Sequence, residues 1–169
     1  CKTFNDNIWN SIFYNNDFVG VTFIFQILML IAQIMSFKLL YKIHNNSVVK
    51  VKEDTKWILI AFFAGLINHA IFIISTLEFD YSFELSKLAI NGGFYLFIFM
   101  IIFTISQRMI PFFTTSKAPD YKINKSENLL TLVFVFLALK VVLLSFDNAK
   151  LNLIADVPLF IIITKELIR

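Results

Sequence analysis

The chain has 169 residues and a formal net charge of +3, with 58% hydrophobic and only 16% charged residues. An ordinary soluble domain carries about 25% charged residues, so the composition excludes a disordered chain and a typical soluble enzyme, and one cysteine excludes an intrachain disulfide framework. What remains is an all-α, polytopic transmembrane helix bundle, because a soluble fold of this size cannot hide so much apolar surface.

A hydrocarbon core of about 30 Å needs roughly 20 apolar residues of helix. Five stretches meet or approach that length: 18–37, 57–77, 88–107, 129–146 and 151–169. The first three are free of charge, the fourth is interrupted only by Lys140, and the fifth holds Asp156 and Pro158. Ahead of the first, Ile8, Trp9, Ile12 and Phe13 fall on one helical face, with Tyr14 beside them. This stretch lacks the basic opening of a signal peptide and suits a helix lying in the membrane interface. The chain begins at Cys1 and ends while still apolar, which reads as an interior piece of a longer protein with further spans.

Lysine and arginine set the orientation. Lys38, Lys42, Lys50, Lys52 and Lys56 lie between the first two spans, and Arg108, Lys117, Lys122 and Lys125 between the third and fourth. The opposite ends hold only Lys2, Lys87 and Lys150. The N-terminal side is therefore expected outside and the lysine-rich loops inside. These two loops span about 20 residues each between apolar runs, long enough to hold short helices, and their charge suits anionic lipid heads rather than nucleic acid. The bilayer and the rest of the parent chain are the expected partners; the oligomeric state is open.

Polar groups inside a membrane are costly and mark the places where function sits. In the first span Thr22, Gln26, Met29 and Gln33 recur at steps of four, three and four, a single face expected to point into the bundle. Its glutamines either bond to neighbouring helices or line a pathway. In the second span Asn68 precedes His69, which stands about 18 Å from the start of the span, near mid-membrane. Gly65, His69, Phe72 and Thr76 share a face, with Gly65 permitting close helix approach. His69 is either a neutral histidine bridging two helices or a ligand to a metal or haem iron.

The third span opens with Asn91, Gly92 and Gly93, suited to packing or a bend. It is expected to end or kink at Pro111, which lacks an N–H and disfavours helix at Ile110. Arg108 then sits at the interface, as an anchor or as a bidentate partner for a carboxylate such as a haem propionate. In the fourth span Lys140 is expected to snorkel to the outer surface, with pairing to Asp156 as the alternative. Asp156 reads as a cap for a helix whose first turn contains Pro158, or as a proton-relay carboxylate.

No covalent haem motif, phosphate loop or His-Glu-x-x-His is present, and no catalytic set can be assembled. Met29, Met35, Met100 and Met109 are scattered and suit packing better than Cu(I). With His69 as the lone histidine within a span, the chain alone cannot make a bis-histidine haem site.

The stretch from Asn91 to Thr114, NGGFYLFIFMIIFTISQRMIPFFT, resembles the NnrS family, bacterial polytopic membrane proteins tied to the nitric oxide response and described as containing haem and copper. Arg108, Ile110, Pro111, Phe112, Phe113 and Thr114 carry the likeness. Gln107 and Met109 stand where the family pattern has Gly and Val. The resemblance implies a bacterial inner-membrane protein with haem and copper, and a His-Glu helix of the family that this sequence does not contain. It does not reach His69, whose ligand role rests on its position alone. Two other functions compete: a proton- or solute-coupled transporter using Gln26, Gln33, His69, Lys140 and Asp156, and a non-catalytic scaffold subunit.

Overall fold

Hydrocarbon offers a backbone no water to bond to, so an apolar chain of this composition satisfies its amides within helices. The computed structural model describes residues 16–48, 52–77, 81–117, 126, 128–146 and 149–168, and its elements are all helical. In chain order they are α1 (Asn16–Asn46), α2 (Glu53–Ser75), α3, α4 (Leu129–Leu144) and α5 (Ala149–Ile168). Helix α3 is one rod in three parts: Ser82–Gly92 is α-helical, Gly93–Phe99 π-helical and Met100–Lys117 α-helical again. The chain is an all-α membrane helix bundle. Three of its helices, within α1, α2 and α3, are long and apolar enough to cross a membrane; α4 is apolar but has 16 residues. The N-terminal face of Ile8, Trp9, Ile12 and Phe13 lies outside the described residues.

Each helix packs on the next in sequence, α1 on α2, α2 on α3, α3 on α4 and α4 on α5. The core cluster joins α2, α3 and α4 through Ala61, Met100, Leu129, Leu130, Val133 and Leu137. Trp57 of α2 reaches Phe134 of α4, with ring centroids 5.6 Å apart. This apolar cluster runs from the start of α4 toward the middle of the bundle, on the side of the lysine-rich end.

Several boundaries differ from those expected. Helix α1 continues past Phe37 to Asn46 and α2 starts at Glu53, so much of the first basic stretch, expected as a loop of about 20 residues, is helical. Helix α3 does not stop at Pro111 but runs to Lys117. A proline removes only one helical hydrogen bond, whereas ending the helix would free several backbone groups at once. Helix α5 begins at Ala149, which places Asp156 and Pro158 in its interior instead of at a cap and first turn.

Close approach of α2 and α3 depends on two glycines. A Cβ on Gly65 would lie 2.7 Å from Cγ of Phe97, and one on Gly92 would overlap the amide of Asn68. Asn68 is buried, and its Nδ2 donates to the Ala64 carbonyl of its own helix at 2.8 Å. At Gly93 an added Cβ meets no atom within 4 Å, so that residue opens the π-helical segment without closing a contact.

Gly92→Ala is therefore expected to destabilise the bundle by about 1–3 kcal/mol through overpacking, while Gly93→Ala leaves it unchanged or slightly more stable. Thermal unfolding of both variants in the same detergent checks this. Equal losses would show that the glycines act through backbone freedom, not through contact with Asn68.

Candidate functional site

The polar stripe of α1 meets α2 at His69. Gln26 and Gln33 are seven residues apart, two helical turns, which places them on one stripe about 10 Å from each other. The imidazole is inserted between them. Its Nδ1 lies 2.8 Å from Oε1 of Gln33 and its Nε2 lies 2.9 Å from Oε1 of Gln26. A neutral imidazole carries one N–H, which donates to one glutamine carbonyl; the other glutamine then turns its NH2 toward the bare nitrogen. Both amides and both ring nitrogens are used, and α1 is locked in register against α2.

The stripe of α1 that faces α2 differs from the one expected. Phe23, Gln26, Leu30, Gln33, Phe37 and His44 are half-buried, whereas Thr22 is exposed and Met29 is 52% exposed. Gln26 and Gln33 belong to a seven-residue hydrophobic seam, and Thr22 and Met29 sit on its flank. Gly65 and His69 also divide their work, Gly65 against Phe97 of α3 and His69 against α1. Because α2 ends at Ser75, His69 lies about 9 Å from that end and about 24 Å from Glu53. It is in the lysine-poor half of α2.

A second polar contact joins α4 to α5. Lys140 Nζ donates to Oδ1 of Asp156 at 2.5 Å, and the same ammonium stands 4.9 Å above the ring of Tyr95 in the π-helical part of α3. The expected snorkelling of Lys140 is replaced by this pair. The ammonium is about 6 Å from the end of α4, and an acid within reach satisfies it more completely than a stretched stem. One turn before Asp156, Asn152 has a buried Oδ1 with no partner among the described residues.

These two clusters stand on opposite sides of the α2–α3 contact. The structure thus brings together Gln26, Gln33 and His69, and separately Lys140 and Asp156, but not all five. Arg108 belongs to neither. The Gly65–Phe97 and Asn68–Gly92 contacts fix the antiparallel register of α2 and α3, so Arg108 lies beside the start of α2, about 25 Å along the bundle from His69. It is exposed, as are Ile110, Phe112 and Phe113, whose two rings pack edge to face with centroids 5.6 Å apart. The side chains of Pro111 and Thr114 lie outside the described residues. Gln107, which departs from the family pattern beside Arg108, has both its amide atoms buried without a partner among the described residues.

No group of three or more His, Cys, Asp or Glu side chains among the described residues is placed to hold a metal ion. His44 bonds through Nδ1 with the Thr55 hydroxyl at 3.2 Å, and both nitrogens of His69 are taken.

Residues 13–169 match the family model described as NnrS protein. No curated protein and no solved structure matches the chain.

Two expectations follow from the geometry. Replacing His69 and Gln33 singly and together, by Leu in each case, is expected to give a coupling energy of about 0.6–1.7 kcal/mol, the range for hydrogen bonds between membrane helices; additive losses in reversible detergent unfolding would remove the bridge. Lys140→Met alone should cost about 2 kcal/mol, below the usual figure for a fully buried pair because Asp156 is 40% exposed. Adding Asp156→Leu should return part of that loss. A double variant as unstable as the sum of the two singles would show that the two charges do not support each other.

Proposed function

The chain belongs to the NnrS family, and from that membership we propose that it acts in the response to nitric oxide as a bacterial inner-membrane protein associated with haem and copper. The observation that carries this reading is the family match, which runs over residues 13–169 and so covers all five helices. The charge distribution supports an orientation with the lysine-rich end inside and the N-terminal side outside.

The described residues do not fit a complete metal centre. His69 would become a ligand only by giving up one of its two glutamines. If Gln26 yielded, the ring would still be held by Gln33 at Nδ1, the kind of outer hydrogen bond that orients metal-bound histidines. As folded, the ring has no free nitrogen, and Arg108 is too far along the bundle to grip a carboxylate of the same cofactor. Haem and copper, when bound, need donors other than the set described, and no chemical step is routed through them. His69 serves here as the polar rung between α1 and α2, and Arg108 as an interfacial cation next to the family string.

The transporter reading is less well supported. A continuous pathway would need the Gln26–His69–Gln33 cluster to join the Lys140–Asp156 pair, and the α2–α3 contact stands between them.

The decisive measurement is a pyridine haemochrome spectrum with copper analysis on protein purified from its native membrane, beside the growth of cells lacking it under nitric oxide. Haem, copper and delayed recovery are expected; absence of both metals would sink the proposal. His69→Ala is expected to keep the haem spectrum while lowering the unfolding temperature. Loss of the spectrum from a folded His69→Ala protein would instead make His69 a ligand.

A further inference from the structure

The lysine-rich ends of α1 and α2 enclose an open cleft of about 460 Å³, lined by Phe37, Tyr41, His44, Lys56, Leu59 and Phe63 among others. Its construction is layered. At the deep end Phe37 packs against Phe63, ring centroids 5.9 Å apart, and against Phe62 at 6.4 Å. At the shallow end the two helices are tied across the loop: Lys52 Nζ donates to the His44 carbonyl at 3.0 Å, and His44 meets Thr55 at 3.2 Å. Between these two closures the helices stand apart, and Leu59, Ile60 and Tyr41 form the walls. From Phe63 to Lys56 is seven residues, about 10 Å along α2.

We propose that this cleft binds one molecule of an acidic phospholipid, its acyl chain on the aromatic floor and its phosphate at the lysine rim. Helix α1 has no other helix packed along it among the main contacts of the described residues, and apolar side chains such as Ile34, Leu39 and Ile43 are exposed on it. The cleft thus opens away from the other described helices. Anything that fills it must be apolar below and polar at the rim, which is the anatomy of a lipid and not of a free anion.

Charge selects among lipids. Lys56 lines the cleft and is exposed, and Lys38 lies on the same side of α1 as Tyr41 and Asn45, with Lys42 a turn further on. Lys52 is committed to building the closure. Glu53 and Asp54, in the first turn of α2, are the acids of the α1–α2 connection, and Lys38, Lys42 and Lys56, the described lysines there that the closure does not use, outnumber them. A net-negative headgroup gains from that excess, whereas a zwitterionic one gains little. Basic recesses between membrane helices are recognised sites for anionic heads, each cation near the surface contributing about fivefold in affinity.

The test titrates delipidated, detergent-purified protein with phosphatidylglycerol, with phosphatidylcholine of the same acyl chains and with inorganic phosphate, read by native mass spectrometry and by the unfolding temperature. Phosphatidylglycerol is expected to bind about tenfold or more tightly than phosphatidylcholine. Lys56→Gln should weaken it about fivefold, and Lys38→Gln added to it should weaken it further, while Lys87→Gln at the opposite end changes nothing. Leu59→Trp, which fills the cleft, should weaken both lipids alike. Equal binding of the two lipids overturns the proposal, as does indifference to Lys56→Gln in a variant that melts like the parent. Competition by inorganic phosphate at concentrations matching the lipid also overturns it, since that marks a soluble-anion site. None of these outcomes depends on haem or copper content, so failure here leaves the nitric oxide reading untouched.

Discussion

A polar side chain inside hydrocarbon has no water to turn to, and the cost of leaving it unpaired governs how this bundle is assembled. The chain meets that constraint in two ways, separated by side-chain length. Short polar groups turn back on their own helix: Ser36 donates to Ala32, Asn68 to Ala64, Ser75 to Phe72 and Thr104 to Met100. Such hydrogen bonds need nothing from a neighbouring helix. Long ones cannot fold back so easily. Gln26, Gln33 and His69 find each other across α1 and α2, and Lys140 finds Asp156 across α4 and α5. Cross-helix polar contacts therefore appear at the first and last pairings of the chain.

The middle pairing is made by size instead of polarity. Gly65 and Gly92 let α2 and α3 approach until Phe97 and Asn68 fill the space a Cβ would take. The apolar core then closes with Met100, Val133 and Leu137. Dispersion between closely packed surfaces replaces the hydrophobic drive that lipid does not provide. The largest buried cluster leans to the lysine-rich half, while Ala89, Val141 and Ala155 are buried in the other half together with both polar clusters. The family string from Arg108 onward, with Ile110, Phe112 and Phe113 exposed, leaves the bundle at the lysine-rich end.

Some of this was legible residue by residue. The apolar runs gave the helices because only a helix satisfies its backbone in lipid, and the Arg108–Thr114 string gave the family. The recurrence of Gln26 and Gln33 marked a face, although the full seam of Phe23, Leu30 and Phe37 was hidden by a sequence apolar on every side. Proline does not end α3 at Pro111, and Pro158 lies inside α5 instead of in its first turn. A proline removes one helical hydrogen bond and does not by itself end a helix. Gln107 stood out only as a departure from the family pattern, since burial of an amide near a helix end depends on what packs against it.

By itself the sequence determined the all-α class, the membrane setting and the charge asymmetry between the two ends, because these follow from the composition and length of each segment alone. It also narrowed the chemistry to a handful of polar exceptions. Only the tertiary structure decided their partners. It placed His69 between two glutamines, Lys140 on Asp156 and Arg108 about 25 Å from His69. Periodicity places a residue on a face but does not say which helix that face meets. In a medium where any long polar group will take any partner within reach, the pairing is settled by helix register and by where two glycines allow backbones to close.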